Sequence, residues 1–235
     1  MKRRRPSTDR LCARLLAIFA CAIAGAALPA GCDRAEQPAP AAAAPADAPA
    51  PAPAASAELF AVFESMSGRI RVRLHAEQAP RTCANFINLV RRGYYVGRPW
   101  EDFSPVVRQV GPAASIVRLP YTLPREPSPK LLFDVGGRLA AANATTEPGA
   151  RVHPVRVFLT TKPQERWNLE YVVFGTVVEG LDVVQRLVVT EPVAKVSIEG
   201  DPSALLATYA TQIAEWNRLL DEKPIEMPSE KPPTP

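Results

Sequence analysis

The chain has 235 residues and a formal net charge of +4, with 28 basic and 24 acidic side chains. Six of the basic residues and one acidic residue lie in residues 1–31, so the remainder carries 22 against 23 and is close to neutral. That removes charge-driven nucleic-acid binding as an explanation of the high isoelectric point. Two histidines and four cysteines, two of them in the first 31 residues, leave little with which to build a metal centre or a disulfide framework.

The first element is a leader. Lys2-Arg3-Arg4-Arg5 precedes a 14-residue apolar run, Leu15 to Leu28, too short to span a bilayer comfortably and of signal-peptide proportions. It ends in Leu28-Pro29-Ala30-Gly31-Cys32, which resembles a bacterial lipobox although Pro29 stands where Leu is usual. The expectation is a signal peptide over 1–31, lipidation of Cys32 and anchoring to a membrane of the bacterial envelope, facing the periplasm or the exterior. The alternative is ordinary cleavage to a soluble protein. Residues 32–57, rich in alternating Ala and Pro, read as a disordered, polyproline-like stalk with a reach of about 75 Å. The tail 223–235, with five prolines, reads as disordered.

Between them, 58–200 reads as one mostly β domain. Leu59 to Phe63 is apolar, Ser67-Gly68 marks a turn, and Ile70, Val72 and Leu74 alternate with Arg69, Arg71 and Arg73, which predicts a hairpin. Pro80 opens a helix whose apolar positions are Cys83, Phe86, Ile87 and Val90, stopped by Gly93, with Cys83 as a buried, inert thiol. Further strands are expected near 105–110, 138–142, 155–160, 170–178 and 193–198, a pattern of closed barrels or sandwiches. His153, flanked by Gly and Pro, reads as a solvated loop residue. Over 201–222, Asp201-Pro202 caps an amphipathic helix with a stripe of Leu206, Tyr209, Ile213, Trp216 and Leu220. The stripe docks on its own barrel or on an envelope protein partner.

Several segments resemble cyclophilin-type peptidyl-prolyl isomerases. Ala79-Pro80-Arg81-Thr82-Cys83-Ala84-Asn85-Phe86 with Gly93-Tyr94-Tyr95 is similar to that family's first helix. Tyr121-Thr122-Leu123-Pro124, Leu139 to Asn143, and Val172-Val173-Phe174-Gly175-Thr176-Val177-Val178-Glu179-Gly180-Leu181-Asp182-Val183-Val184 match later motifs in family order. The resemblance implies an eight-stranded antiparallel barrel with capping helices, the 201–222 helix being extra, and an isomerase of proline-containing polypeptides that uses no cofactor. It also implies where the site lies. The family's catalytic Arg falls on Asp102, and its substrate-binding positions fall on Val107, Gln109, Ala142, Asn143, Phe158 as pocket floor, and Trp167. A family Gln becomes Arg156, and the family's glycine-rich loop is missing between 113 and 120.

Prolyl isomerisation breaks no bond; the barrier is amide resonance, roughly 18–20 kcal/mol for an ordinary peptide bond. Catalysis needs an apolar slot for the ring and a fixed cationic donor near the nitrogen that becomes pyramidal as the amide twists. An ionised Asp102 cannot donate. Two readings of the exchange stay open: Asp102 holds Arg156 as a charge-swapped catalytic pair, or the two are structural or unrelated charges. The competing function is a non-catalytic module that holds peptides. Trp167 walls the slot or fills the barrel. If Cys32 is the anchor, Cys32→Ser moves the protein from the membrane pellet to the soluble fraction on fractionation; an unchanged distribution rules the anchor out.

Overall fold

The computed structural model describes residues 58–111, 119–147 and 149–224. The leader, Cys32, the stalk and most of the tail lie outside the described residues, as does most of the 113–120 segment. Eight strands form one antiparallel sheet: β1 Leu59–Ser65, β2 Gly68–Leu74, β3 Trp100–Ser104, β4 Val107–Val110, β5 Arg138–Asn143, β6 Val152–Thr160, β7 Val172–Glu179 and β8 Lys195–Glu199. Their order is β3-β4-β6-β5-β7-β2-β1-β8. Four backbone hydrogen bonds of 2.8–2.9 Å between residues 97–100 and 190–193 tie the segment entering β3 to the segment that leads into β8, at the two ends of the sheet. The sheet therefore curls on itself as a barrel, the solution that removes exposed strand edges.

The β1–β2 hairpin forms as predicted, with Phe63 opposite Ile70, Ala61 opposite Val72 and Leu59 opposite Leu74 on the inner face. Two expectations change. The strand expected near 105–110 is a pair, β3 and β4, because the chain turns at Pro105-Val106. β6 starts at Val152, so His153 is not in a solvated loop: it is buried within the strand. Pro154 and the nearby Gly149 suggested a loop, but Pro is tolerated inside a strand where pairing is interrupted, and a register shift lies between Ala141 and Asn143.

Helix α1, Pro80–Arg91, lies against the barrel and carries the buried Cys83, whose thiol is pushed well up by burial. Its first residue has no local side-chain cap. Glu126 supplies one from a distant loop: its carboxylate accepts from the N–H groups of Arg81 and Thr82 and from Thr82 Oγ1, at 2.8–3.1 Å. A short helix α2, Leu181–Arg186, follows β7.

The C-terminal helix is two pieces, α3 Ser203–Thr208 and α4 Ala210–Glu222, jointed at the buried Tyr209. Asp201 Oδ1 accepts from Ser203 N–H at 2.9 Å, as the cap reading expects. The apolar stripe faces the chain's own barrel, not a partner. Tyr209, Trp216 and Leu220 are buried, Leu205 rather than Leu206 is the fully covered leucine, and Trp216 stacks on Tyr121 with centroids 5.8 Å apart and planes at 12°. This leaves the outer side of α4 polar, and the stripe unavailable to an envelope partner. Trp216→Ala is expected to lower unfolding free energy by about 3–5 kcal/mol; a loss under about 1 kcal/mol in denaturant titration would mean that α4 is not seated on the barrel.

Candidate functional site

The barrel's outer face carries a second apolar cluster between β4, β6, β5 and β7. Strand register explains which residues it collects. Val155, Val157 and Leu159 of β6 point into the barrel core, so Arg156 and Phe158 point out. Phe158 lies opposite Gln109 on one side and Ala140 on the other, with Val173 beyond Ala140. Glu101 faces Gln109 from β3. One row across five strands thus reads Glu101, Gln109, Phe158, Ala140, Val173. Val107, Ala142 and Arg156 occupy neighbouring positions on the same face.

Phe158 is the centre of an aromatic box. Phe133 lies nearly parallel to it at 6.2 Å and 4°, while Trp167 at 6.0 Å and Tyr171 at 5.3 Å meet it edge-on. Phe133 and Trp167 also pack edge to face at 5.9 Å. Trp167 therefore walls the outer cluster and does not fill the barrel. The 3₁₀ turn Glu165–Trp167 is tied to Phe133 at both backbone atoms: Phe133 N–H donates to Asn168 Oδ1 and Gln164 N–H donates to Phe133 O, each at 2.7 Å. Phe158 is left 5% exposed. Phe133 was not expected here from sequence. Its only signal was the apolar run Leu131-Leu132-Phe133, which lies in no strand.

Arg156 stands at the edge of this box. It is 6% exposed, and its Nη2 donates to the carbonyl of Asn143 at 3.2 Å. Among the described residues it makes no ion pair, and its Nε has no partner. Burial lowers its pKa, while the negative charge of Glu101 and the Tyr171 hydroxyl act in the opposite direction. Glu101 is thus a carboxylate that this guanidinium feels, and register puts Glu101 in the row of Gln109 and Phe158. Asp102 lies in β3, and its side chain is outside what the structure describes. Asn143 Nδ2 reaches Glu170 O and Oε1 at 3.4 and 3.3 Å, and its Oδ1 is buried without a partner among the described residues.

The expected residues Val107, Gln109, Ala142, Asn143, Arg156, Phe158 and Trp167 share this outer face or its walls. The result is an aromatic cluster, with Phe158 nearly covered at its centre and an amide, a carbonyl and a buried cation at its edge. Such a surface can take an apolar ring and offer a proton donor; it holds no nucleophile.

Comparison with known proteins identifies the architecture. Residues 60–201, more than half of the chain, match the family model "Cyclophilin type peptidyl-prolyl cis-trans isomerase/CLD". The chain belongs to the cyclophilin-type peptidyl-prolyl cis-trans isomerase family. It is 33% identical over 137 residues to peptidyl-prolyl cis-trans isomerase-like 1 of Bos taurus, covering 54% of this chain and 78% of that one. It is 33% identical over 131 residues to peptidyl-prolyl cis-trans isomerase CYP65 of Arabidopsis thaliana, covering 52% of this chain but only 21% of that longer protein. In fold it is similar to the crystal structure of a cyclophilin-type isomerase from Cryptosporidium parvum, with a TM-score of 0.52 and 19% identity over 62% of this chain and all of that one. Another crystal structure of that protein, in the presence of the dipeptide Ala-Pro, has a TM-score of 0.50 and 21% identity over 60% of this chain and 99% of that one.

His153 gives the site a measurable acid dependence. Burial and the nearby Arg156 charge lower its pKa from 6.5 to about 3. The unfolded chain therefore binds a proton below pH 6.5 that the folded chain refuses until about pH 3, so stability falls with falling pH across that window. One such proton costs about 1.4 kcal/mol per pH unit. His75, also lowered by burial, titrates in the same direction. The expected outcome is that the wild-type protein loses about 1.4 kcal/mol per unit more than His153→Asn between pH 6.0 and 5.0 in denaturant titration; parallel profiles would contradict the buried neutral imidazole.

Proposed function

We propose that the chain is a peptidyl-prolyl cis-trans isomerase of the bacterial envelope, acting on proline-containing segments of exported proteins, with Arg156 as the cation at the prolyl nitrogen. Lipidated Cys32 and the Ala/Pro stalk hold the barrel to its membrane. The proline ring docks at the rim of the Phe158, Trp167 and Tyr171 cluster, and Gln109 and Asn143 orient the peptide.

The observation that carries this reading is the guanidinium of Arg156, nine-tenths buried and held by the Asn143 carbonyl at the edge of the Phe158 box. As the amide twists, resonance is lost and the nitrogen gains a lone pair. A preorganised cation in a poorly hydrated cleft stabilises that state more than either planar one. The cation comes from β6, whereas the family's Arg position is on β3 and here is Asp102.

One observation favours a second reading. Phe158 is nearly covered by Phe133, Trp167 and Tyr171, so a peptide could be gripped at the rim of the slot without being twisted. In that case the barrel is a non-catalytic holder of proline-bearing segments. Exchange spectroscopy on an Ala-Pro peptide with the full chain separates the two. Turnover that drops by about 10²–10³ in Arg156→Met is expected if the cation is catalytic. Peptide binding with background exchange rates would establish the holder instead. Equal turnover in wild type and Arg156→Met would remove Arg156 from the reaction.

A further inference from the structure

β5 and β6 fall out of step at one place. Ala141 pairs with Val157 and Asn143 with Val152, so a step of two residues on β5 is matched by a step of five on β6. The four residues 153–156 thus stand opposite the single Ala142 as a bulge, and the backbone groups of a bulge lose their ladder partners. In this bulge the N–H groups of Val155 and Arg156 both donate to Nδ1 of His153, at 3.3 and 3.1 Å. The imidazole is wholly buried, and its Nε2 has no partner among the described residues. Because Nδ1 accepts, the ring proton sits on Nε2. Burial keeps the ring neutral, with a pKa near 3.

The same bulge is gripped from two other sides. Pro154 O accepts from Asn85 Nδ2 of α1 at 2.6 Å. Gly111, at φ +110°, passes so close that a Cβ there would lie 2.9 Å from Val155 O and 3.0 Å from Arg156 Cα. Arg156 leaves the backbone at the end of this bulge and turns to the outer face. Its backbone direction is set by the hydrogen bond from its own N–H to His153.

We propose that His153 is a positioning residue: by accepting both amides freed in the β6 bulge, it fixes the stretch of backbone from which Arg156 reaches the cleft. The inference rests on the reading of Arg156 as the catalytic cation, and it adds the residue that aims it. The arrangement is a side-chain turn in which an acceptor two and three residues upstream takes the place of a ladder partner. Asn can present its Oδ1 where His presents Nδ1. Leu cannot accept, and Gln carries its acceptor one methylene further out.

The test uses the full chain and two readouts: hydrogen exchange of the Val155 and Arg156 amides, and turnover of an Ala-Pro peptide with kcat and KM separated. His153→Leu and His153→Gln are expected to speed exchange of both amides by about tenfold or more and to lower kcat by about tenfold with KM unchanged. His153→Asn retains both properties. In an Arg156→Met background, His153→Leu lowers turnover no further, since the two residues act as a unit. The proposal is overturned if the two amides are as protected in folded His153→Gln as in wild type, if folded His153→Asn fails as Gln does, or if the His153 variants lose turnover equally with and without Arg156. Should Leu fail to fold, Gln and Asn carry the comparison. If Arg156→Met alone leaves turnover intact, the functional reading fails by itself, and the amide exchange still decides whether His153 fixes the bulge.

Discussion

A guanidinium that is nine-tenths buried must be held by protein groups, because water no longer solvates it and an unpaired buried charge is costly. In this chain the holding begins one layer below the side chain. Arg156 has a carbonyl at its tip, a histidine at its own amide and a glycine backbone pressed against its Cα. The rest of the domain can be read as what is needed to keep that bulge in one conformation. β6 is buried along all nine residues, since its inner side faces the barrel core and its outer side faces the aromatic box. A strand covered on both faces has no room to let an irregular segment slip.

The C-terminal helix gains a purpose from the same constraint. Trp216 of α4 stacks on Tyr121. The Tyr121 hydroxyl donates to Asn85 Oδ1 at 2.8 Å, and Asn85 Nδ2 donates to Pro154 O in the bulge at 2.6 Å. α4 also meets α1 directly through Asn217 and Asn88, at 2.8 Å. An added helix that merely covered apolar surface would need none of these polar links. Here it closes over a buried hydrogen-bonded chain that ends beside Arg156, and such chains specify one arrangement when every member is satisfied. Glu126 acts in the same sense at the other end of α1, where it completes a helix start that lacks a local cap.

Much of this was legible before any coordinates. The hairpin, α1 and the stripe of Tyr209, Trp216 and Leu220 follow from period and capping residues, which are local signals. The motifs that match the family gave the barrel and the face on which Phe158, Gln109 and Asn143 meet. The misses share one cause. His153-Pro154 looks like a loop because a proline and the nearby Gly149 normally break strands, and only pairing with β5, ten or more residues away in sequence, makes a bulge of them. Phe133 has no periodicity at all; it is placed by hydrogen bonds to Asn168 and Gln164, which local sequence does not encode. Glu101 carried no signal of its own; the pairing of Trp100 with Val110 turns it toward the outer row.

That last point bears on the role proposed for Arg156. A row of side chains across paired strands is a geometric object: any strand crossing it can contribute a charge at nearly the same height, because neighbouring strands lie under 5 Å apart. β3 and β6 both flank β4, so a carboxylate on one and a guanidinium on the other face the same slot from opposite sides. A cation arriving from β6 starts from a strand covered on both faces; alternation turns Arg156 to the outer face, and its backbone lies in the irregular stretch opposite Ala142. The buried imidazole of His153 accepts both amides freed in that stretch. Under the role proposed for His153, alternation aims the guanidinium outward and the imidazole holds the backbone it leaves from, so the cation and the irregular stretch act together.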